Sequence, residues 1–440
     1  MLEAITILIP KAGDPLEPSN YRPISLLNTD YKLLTKHLNS LCFPSILESC
    51  IPTNQLCAVP GRDIRDGTLM IRDVIQYVQD KHGKAILMSL DQKKAFDAVD
   101  RDFLFKTLEK FGVPTRLSAI LKTLYTDTFT KIQVNGHLSE SVALERGVRQ
   151  GCPLSPTLYV LYVQMFVNFI AENPRFTGVR TTSNNIAKLT AYADDLLFFC
   201  NDEYDVAEVF ESFEYIKQGT GSMLNTNKTQ LLPIGSATCV QYQQYVVERM
   251  KVCGITFCNL SFQAIAKINF DLALRKICKR AAGLKNLSCT IRGKVLLANT
   301  VLFPVLYYAA ATYLDPSSFR SIRKTIYSFL YGEGKREVFP RRIVELSREK
   351  GGLGMENVEK RCQAIFFYNS VLKPGHGNFD HQRLPLFTYY LSQWFRNLPQ
   401  GHSNQTPHSF HKTESATLCL NIWQSLTDHQ IVLAQFLTPP

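Results

Sequence analysis

Two adjacent aspartates interrupt an otherwise apolar stretch of the chain and constrain its fold more than any other feature. Asp194 and Asp195 lie between short apolar runs within residues 189–200. Apolar runs on both sides of a two-residue acidic step predict a strand, a tight turn and a second strand, with both carboxylates at the tip. Adjacent carboxylates repel each other and burial disfavours their charged forms, so a divalent cation would stabilise them. A solvated turn without a metal is the alternative.

A third aspartate and a long apolar helix frame this turn. Asp91 ends an apolar run at residues 85–90, which suits a buried strand. Ser155 and Pro156 are a typical helix start, because serine can cap free backbone amides and proline fits the first helical position. The residues that follow, to about 171, are apolar on nearly every side, so this helix should lie deep in the core.

Length and charge add weaker constraints. A chain of 440 residues is too long for one small core and predicts two or three subdomains. The formal net charge of +11 attracts polyanions, although many basic proteins bind no nucleic acid. Other local patterns predict strands at residues 5–10 and 131–134, helices at 31–41, 63–81, 104–111 and 117–124, a hairpin turn at Asn135-Gly136, and basic helices from about residue 262.

The cysteines and one apolar segment argue against two other classes of protein. The 12 cysteines form no CxxC pair and no Cys/His cluster at zinc spacing, so we interpret them as buried thiols of an intracellular protein. Residues 295–314 carry no charge over 20 residues, about the length of a membrane span. Because Pro304 lies inside the segment, we favour a pair of buried helices broken near that residue over a membrane span.

Six motifs follow one another in the order found in reverse transcriptases, and the chain resembles that family from about residue 5 to residue 258, with a weaker extension to about 370. The acidic turn, Tyr192-Ala193-Asp194-Asp195, resembles the YxDD box. The segment from Leu90 through Asp91 to Asp97 resembles the first acidic motif. The finger, RQGxPLSP, later lysine and primer-grip motifs are matched by residues 8–11 with 20–26, 147–156, 225–229 and 252–255.

Several features resemble LINE-like, non-LTR retrotransposons more than intron maturases or retroviruses. These features are the long loop between Lys11 and Arg22, the Ala95-Phe96-Asp97 step, and the sequences at residues 292–294 and 350–354. No RNase H domain is recognisable. The resemblance implies part of a longer polyprotein, with N-terminally truncated fingers and other parts of the polyprotein missing.

The resemblance implies an α+β fold, a right-hand polymerase of fingers and palm with a C-terminal helical thumb. Fingers and palm would occupy residues 1–258, the thumb 259–345 and a C-terminal extension 346–440. The implied activity is that of an RNA-directed DNA polymerase, a nucleotidyltransferase that joins a dNTP to a primer 3′-OH. The alternatives are a catalytically inactive nucleic-acid-binding remnant of a retrotransposon polyprotein and an intron maturase.

The resemblance also assigns roles to individual residues. Asp91, Asp194 and Asp195 would be catalytic and, with the backbone carbonyl of Gln92, would hold two Mg²⁺ ions, for which Mn²⁺ could substitute. Lys228 would protonate the pyrophosphate leaving group. The nucleotide-binding residues would be Lys11, Arg22, Phe96, Gln150, Gly151 and Tyr192, with Phe96 excluding the ribose 2′-OH, and the primer grip would be Val252, Cys253, Gly254 and Ile255.

A plainer interpretation exists for each of these residues. Phe96 could be an ordinary core ring, and Lys228 could form an ion pair with a palm carboxylate. Asp91 could cap a helix or strand, and Lys11 and Arg22 could be solvated charges. Gln150-Gly151 could be an ordinary turn, residues 252–255 a plain hairpin edge, and the basic helices a solvated face.

The expected partners are an RNA template, a DNA primer and dNTPs, and no membrane. An intracellular location is expected, and the nucleus by resemblance, since the chain has no compact basic localisation run. One departure from the family is local. The residues at 56–58 read Leu-Cys-Ala where a glycine and a phenylalanine are usual, which puts the packing of this finger segment in question.

Overall fold

The computed structural model describes residues 3–11, 13–182 and 185–372. It divides into two compact units. The first unit comprises Met1–Gly67, Lys84–Arg180 and Ile186–Val247, and the second comprises Thr68–Gly83, Thr181–Asn185 and Glu248–Pro440. The boundaries predicted at residues 258 and 345 stay predictions. The predicted C-terminal extension from residue 373 onward lies outside the described residues.

The strands in the described part of the chain are short. They are β1 Glu3–Pro10, β2 Tyr21–Leu26, β3 Lys84–Leu90, β4 Phe129–Val134, β5 His137–Leu138, β6 Val142–Ala143, β7 Val179–Thr182, β8 Asn185–Ala187, β9 Leu189–Tyr192, β10 Asp195–Cys200, β11 Gln230–Gly235, β12 Arg249–Val252 and β13 Ile255–Cys258.

The α-helices alternate with these strands in the first unit and dominate the second. They are α1 Thr29–Cys50, α2 Ile64–Asp80, α3 Arg101–Lys110, α4 Thr115–Tyr125, α5 Ser155–Ala171, α6 Glu203–Thr220, α7 Phe262–Leu284, α8 Ile291–Leu297, α9 Pro304–Thr312, α10 Phe319–Tyr331, α11 Arg341–Glu345 and α12 Val358–Phe367. The predicted mixture of helices and sheets is confirmed.

One sheet of the first unit has the order β2–β1–β4–β5, and β6 also pairs with β4. β1 runs antiparallel to β2 and parallel to β4. The predicted hairpin is confirmed between β4 and β5, where Asn135 and Gly136 have φ values of 50° and 84°. Such a turn places both central residues in the left-handed region, which suits an Asn-Gly pair.

The second sheet of the first unit carries the acidic residues. Its order is β11–β3–β10–β9, and every neighbouring pair is antiparallel. β9 and β10 form the predicted strand–turn–strand around Asp194. Leu90 pairs with Leu196, so the register brings the end of β3 beside the start of β10. The sheet therefore directs Asp91 and Asp195, the residues next to this pair, toward the same edge.

Helix α5 is the central element of the core, as its apolar sequence predicts. It contacts α1, α3 and α6, and most of its residues are buried. The predicted helix start was wrong by one residue. Ser155 is the first helical residue and makes no cap; the N-cap is Leu154, whose carbonyl accepts from the Leu158 amide at 3.1 Å. Pro156 does occupy the first turn.

In the second unit, α7 contacts α9, α10 and β13, and α9 also contacts α12. The predicted break near Pro304 is confirmed, because α8 ends at Leu297 and α9 begins at Pro304, with a π turn that joins them into one continuous helical segment, Ile291–Thr312. A π turn at Ala298–Leu302 precedes the proline, and the Phe303 amide bonds to the Ala298 carbonyl at 2.9 Å. The wider turn accommodates a residue that lacks an amide and would clash with the preceding turn.

This helix is long and apolar enough to cross a membrane, and it is the one such helix in the described part of the chain. Half of its apolar window is buried inside the protein. Partial burial of this kind is found in core helices of soluble proteins and is no argument for a span.

The cysteines follow the prediction in part. Cys152, Cys200, Cys239, Cys258 and Cys362 are buried, and the described cysteines are all free thiols. Cys278 is exposed on α7, which contradicts the interpretation of the cysteines as buried.

Candidate active site

The turn between β9 and β10 presents Asp194 and Asp195. Tyr192 and Asp195 form the last pair of this hairpin, so the turn consists of Ala193 and Asp194. Ala193 has a φ of 54°, a conformation that costs energy for a residue with a Cβ. Its amide donates to the side-chain oxygen of Gln55 at 3.1 Å. The turn is therefore held in a tight conformation by a residue that is distant in sequence.

Asp91 lies directly beyond β3 and is bound by the segment that follows α6. The Asn225 amide donates to the Asp91 backbone carbonyl at 2.8 Å. The carboxylate oxygen Oδ2 accepts from Asn225 Nδ2 and from Lys228 Nζ, each at 3.0 Å. The predicted lysine motif thus reaches the first acidic motif, and the ion-pair alternative for Lys228 is the arrangement that the structure contains.

The three carboxylates influence one another electrostatically. Desolvation, and then the charges of Asp194 and Asp91, raise the pKa of Asp195 to about 6. Desolvation, and then Asp91, also raise the pKa of Asp194, which the charges of Lys228 and Arg22 oppose. Like charges held close together disfavour ionisation of each neighbour. The site therefore accumulates negative charge that lacks full compensation.

Cation-binding geometry is not complete in this conformation. Across residues 3–11, 13–182 and 185–372, no set of three acidic, histidine or cysteine side chains is grouped so that it could hold a metal ion. The Lys228 ammonium and the Asn225 amide instead neutralise and bond the Asp91 carboxylate. A cationic group thus already occupies part of the space beside the predicted ligands.

Gln92 is buried, and its side chain faces α5. Its side-chain oxygen Oε1 accepts from the Tyr159 hydroxyl at 3.1 Å. On either side of Gln92, the Asp91 carbonyl and the Lys93 amide bond to Asn225 and Met223. Neither of these two backbone hydrogen bonds uses the carbonyl of Gln92, which is consistent with the metal-binding role predicted for that carbonyl.

Phe96 lies against the core on one face. Its ring stacks on Tyr159, with 4.5 Å between the centroids and 16° between the planes. The Val148 amide donates to the Phe96 carbonyl at 2.9 Å, and a Cβ on Gly147 would lie 3.0 Å from that carbonyl. The predicted nucleotide residue is therefore positioned by α5 and by the loop that leads to Arg149.

The Gln150-Gly151 step is joined to strand β2. The Ser25 amide donates to the Gln150 carbonyl at 2.7 Å. Gly151 has a φ of 112°, and a Cβ there would lie 2.6 Å from the Ser25 carbonyl oxygen, so the close approach requires glycine. The Gln150 amide nitrogen Nε2 donates to Asp97 at 3.0 Å. The structure thus brings the finger strands and the RQGxPLSP motif together.

Lys11 and Arg22 are exposed at one end of the hairpin β1–β2. Arg22 pairs with Ile9, and the Lys11 amide bonds to the Asn20 carbonyl at 2.6 Å. The charge of Arg22 lowers the pKa of Asp194, and that of Lys11 lowers the pKa of Asp97, so both cations act on the acidic site. Desolvation outweighs these effects and leaves both carboxyl pKa values raised.

Two further arginines of the finger segment, Arg62 and Arg65, have contacts within that segment. Arg62 donates to the backbone carbonyls of Ile51 and Gln55 at 2.6 and 2.7 Å. Arg65 forms an ion pair with Asp63. In this structure both guanidinium groups therefore brace their own finger segment.

The predicted primer grip belongs to the second unit. Val252 pairs with Ile255, and Cys253 and Gly254 form the turn with φ values of 46° and 83°. The Tyr308 hydroxyl donates to the Cys253 carbonyl, and a Cβ on Gly254 would lie 3.3 Å from the Tyr308 ring. The motif is a tight hairpin supported by α9.

Gln55 contacts the acidic hairpin, although no sequence motif predicts a role for it. The Gln55 side chain is fully buried, and its oxygen accepts from the Cys57 and Ala193 amides, each at 3.1 Å. The neighbouring Leu56 amide donates to the Ala191 carbonyl at 2.9 Å, so this segment extends along β9. Gln55 follows the equally polar Thr53 and Asn54, so its sequence context carried no signal that marked this role.

The local departure at residues 56–58 has a structural counterpart. Ala58 has a φ of 56°, and the Cys57 thiol is hydrogen-bonded to the side chain of Tyr192. Desolvation raises the pKa of Cys57 to about 11, against the effect of Tyr192. The unusual cysteine therefore contacts the acidic hairpin as a neutral thiol.

Comparisons with known proteins extend these observations. Residues 9–257 match the family model described as "Reverse transcriptase (RNA-dependent DNA polymerase)". The chain is 36% identical over 234 residues to the "Transposon TX1 uncharacterized 149 kDa protein" of Xenopus laevis, which covers 53% of this chain and 18% of that protein. It is 24% identical over 335 residues to the Pol polyprotein of the type-2 retrotransposable element R2DM of Drosophila melanogaster, which covers 73% of this chain and 31% of that protein.

A solved structure of apo telomerase from Candida tropicalis, truncated from its C-terminal domain, aligns with a TM-score of 0.43 and 14% identity over 59% of this chain and 54% of that chain. The chain spans less than a third of the length of the two curated relatives.

Proposed function

Because the chain belongs to the reverse transcriptase (RNA-dependent DNA polymerase) family, with residues 9–257 matching its model, we propose that it extends a primer 3′-OH with dNTPs on an RNA template. It is a LINE-like member, similar to polyproteins of transposable elements. The observation that supports the activity most is the sheet register that directs Asp91 and the Asp194–Asp195 turn to one edge.

We propose that Asp91 and Asp194 hold two Mg²⁺ ions, with Asp195 and the Gln92 carbonyl in support; Mn²⁺ would substitute. The donor set fits, since carboxylate and carbonyl oxygens suit Mg²⁺, and the pKa of Asp195 is raised by desolvation and then by the two neighbouring carboxylates. When bound, such ions polarise the attacking and leaving oxygens of a phosphoryl transfer. The Lys228 ammonium lies 3.0 Å from the Asp91 carboxylate, so a positive charge already stabilises this carboxylate in the structure.

The remaining residues would bind and orient the substrates. Lys11 and Arg22 would bind the triphosphate, where positive donors stabilise phosphate charge. Gln150, Gly151 and Tyr192 would line the nucleotide pocket, and Phe96 would exclude the ribose 2′-OH. In this proposal Lys228 exchanges its contact with Asp91 for the leaving pyrophosphate and donates a proton to it.

The second unit would contribute to binding of the primer and template. The turn at Val252, Cys253, Gly254 and Ile255 would hold the primer end through its backbone. Exposed cations of α7, such as Lys276 and Lys279, would contact phosphates without reading sequence. We propose that the full polyprotein acts in the nucleus.

Primer extension tests the proposal directly. The chain is incubated with an RNA template, a DNA primer, dNTPs and Mg²⁺, beside the variant Asp194→Asn/Asp195→Asn. Asp127→Asn is the control for an Asp→Asn change outside the site, because Asp127 is exposed and has a φ of 48° that asparagine tolerates; it removes one negative charge, whereas the double variant removes two.

We expect the wild type and Asp127→Asn to extend the primer. We expect no extension by the double variant, and none by any of the proteins once Mg²⁺ is chelated. Retained binding of the primer–template with no extension by the wild type would instead indicate a nucleic-acid-binding remnant. Equal extension by all three proteins would remove Asp194 and Asp195 from the catalytic site.

A further inference from the structure

The aromatic pair below the acidic site joins two segments that carry different predicted roles. Phe96 follows β3 by a short loop, and Tyr159 lies on α5. Their rings stack at a centroid distance of 4.5 Å and an interplanar angle of 16°. Tyr159 is fully buried, while Phe96 is partly exposed. One face of the Phe96 ring is therefore covered by Tyr159, and part of the side chain remains exposed.

Tyr159 itself is fixed on several sides. Its hydroxyl donates to Gln92 Oε1 at 3.1 Å. Its ring also approaches Tyr162, one turn further along α5, at 6.4 Å. Because α5 is packed against α1, α3 and α6, the Tyr159 ring has little freedom to rotate or withdraw. Phe96 is the less enclosed partner, since it lies in a turn segment and is only partly buried, whereas Tyr159 is fully buried on a helix.

We propose that Tyr159 is a positioning residue for sugar discrimination: its ring holds the Phe96 ring in the one orientation that excludes a ribose 2′-OH. This inference rests on the proposed polymerase function and on the role of Phe96 within it. Tyr159 acts through Phe96 and touches no nucleotide atom.

The physical reason is the small size of the group that must be excluded. A hydroxyl is rejected only if the blocking ring cannot tilt away when a ribonucleotide enters. A stacked aromatic neighbour resists such a tilt, because tilting sacrifices the ring contact and opens a void in a closely packed core. An aliphatic side chain at residue 159 would fill part of the space and leave the Phe96 ring free to rotate.

The Tyr159 hydroxyl has a separable role. It bonds to the side chain of Gln92 and so restrains Tyr159, whereas the interaction with Phe96 is a stack of the two rings. Tyr159→Phe keeps the stack and removes only this bond. Tyr159→Leu and the larger, flexible Tyr159→Met both remove the stack, so the two kinds of change distinguish the ring from the hydroxyl.

The test measures kcat/KM for a dNTP and for the matching rNTP in the primer-extension assay, and takes their ratio as the discrimination factor. The variant Phe96→Val gives the discrimination factor of a protein that lacks the blocking ring. We expect Tyr159→Leu and Tyr159→Met to lower discrimination about tenfold, the scale of a lost aromatic pair, mainly through faster use of rNTPs. We expect Tyr159→Phe to discriminate like the wild type.

The double variant Phe96→Val/Tyr159→Leu separates positioning from general damage. If Tyr159 acts through Phe96, its loss changes discrimination little once Phe96 is absent. Three outcomes would each overturn the proposal. The effects of the two changes could be fully additive; folded Tyr159→Leu and Tyr159→Met could discriminate like the wild type; or Tyr159→Phe could lose as much discrimination as they do. A wild type that uses no dNTP contradicts the polymerase function itself, whereas a wild type that extends normally while these outcomes occur contradicts only the role of Tyr159.

Discussion

Asp195 illustrates at the residue scale how the arrangement proposed for catalysis opposes stability. Desolvation and the two neighbouring aspartates raise its pKa to about 6, from an ordinary value of 3.8. Between these two pH values the folded protein binds more protons than the unfolded chain. Stability must therefore fall as the pH rises through this window. The metal-free protein carries this cost at neutral pH.

We predict that Asp195→Asn is more stable than the wild type at pH 7 without Mg²⁺, and that the difference shrinks as the pH falls from 6 to 4. The reason is that a neutral amide removes the charge that the folded site disfavours. Denaturant midpoints in metal-free buffer at several pH values measure the effect. Asp127→Asn should show no such pH-dependent gain, and a gain of equal size there would point to net charge as the cause.

Gln55 shows how a single buried side chain can determine the geometry of a turn. Its oxygen accepts from the amides of Cys57 and Ala193, and Ala193 has a left-handed backbone conformation. An amide that loses its acceptor in the interior costs roughly 1–3 kcal/mol. The turn that presents the carboxylates therefore depends on an interaction with a residue more than a hundred positions earlier.

We predict that Gln55→Met, which preserves volume but removes the acceptor, raises the Mg²⁺ concentration needed for half-maximal extension and lowers kcat. Titration of Mg²⁺ in the extension assay checks this. Gln164→Met is the control, because Gln164 is an equally buried glutamine on α5 that bonds to Asn168. If both variants lose stability but neither changes the Mg²⁺ requirement, Gln55 has only a structural role.

At the scale of elements, two hairpins are held by partners outside themselves. The β9–β10 turn is bound by Gln55, and the β12–β13 turn is bound by α9 through Tyr308. The β12–β13 hairpin is a two-stranded sheet, which is marginal on its own, so it depends on this neighbour. The β9–β10 hairpin is part of a four-stranded sheet, and Gln55 bonds the left-handed residue of its turn. Without these contacts we expect each turn to adopt several conformations, and its side chains and backbone groups would then be poorly positioned to bind a substrate.

Tyr308→Phe should weaken use of the primer without altering use of the nucleotide. The variant removes the hydroxyl that donates to the Cys253 carbonyl and keeps the ring beside Gly254. We expect the KM for primer–template to rise about fivefold, the scale of one hydrogen bond, with an unchanged KM for dNTP. Tyr307→Phe is matched on the same helix, since its hydroxyl bonds to Glu356; an equal effect there would contradict the role of the turn.

At the scale of the whole molecule, the positive charge is the dominant property. The net charge is +11, and basic side chains recur along α7. A cationic protein that binds a polyanion releases counterions, so the affinity falls steeply as salt rises. Binding that depends on phosphates does not require the catalytic carboxylates.

We predict a steep linear fall of log affinity for an RNA–DNA duplex with log salt, unchanged in slope by Asp194→Asn/Asp195→Asn. Lys279→Gln, on the exposed face of α7, should lower the slope by about one, because one phosphate contact is lost. Fluorescence anisotropy at several salt concentrations measures both. Lys122→Gln on α4 removes the same charge; an equal change there would show that net charge, and not α7, sets the slope.

The sequence by itself determined the elements whose patterns are local. The apolar runs on both sides of Asp194 and Asp195 predicted the β9–β10 hairpin, and Asn135-Gly136 predicted the turn between β4 and β5. The all-round apolar stretch after Ser155 predicted a buried helix. The order of the motifs also predicted the family. These signals succeed because each depends on residues that are neighbours along the chain.

Only the tertiary structure decided which distant residues meet. Lys228 bonds Asp91, Gln55 bonds Ala193, and Tyr159 stacks on Phe96, and each pair is separated by many residues. The one-residue shift at Ser155 and the π turn before Pro304 were likewise decided by packing. The physical reason is that contacts between distant segments depend on how sheets and helices pack, and local sequence patterns do not encode that packing.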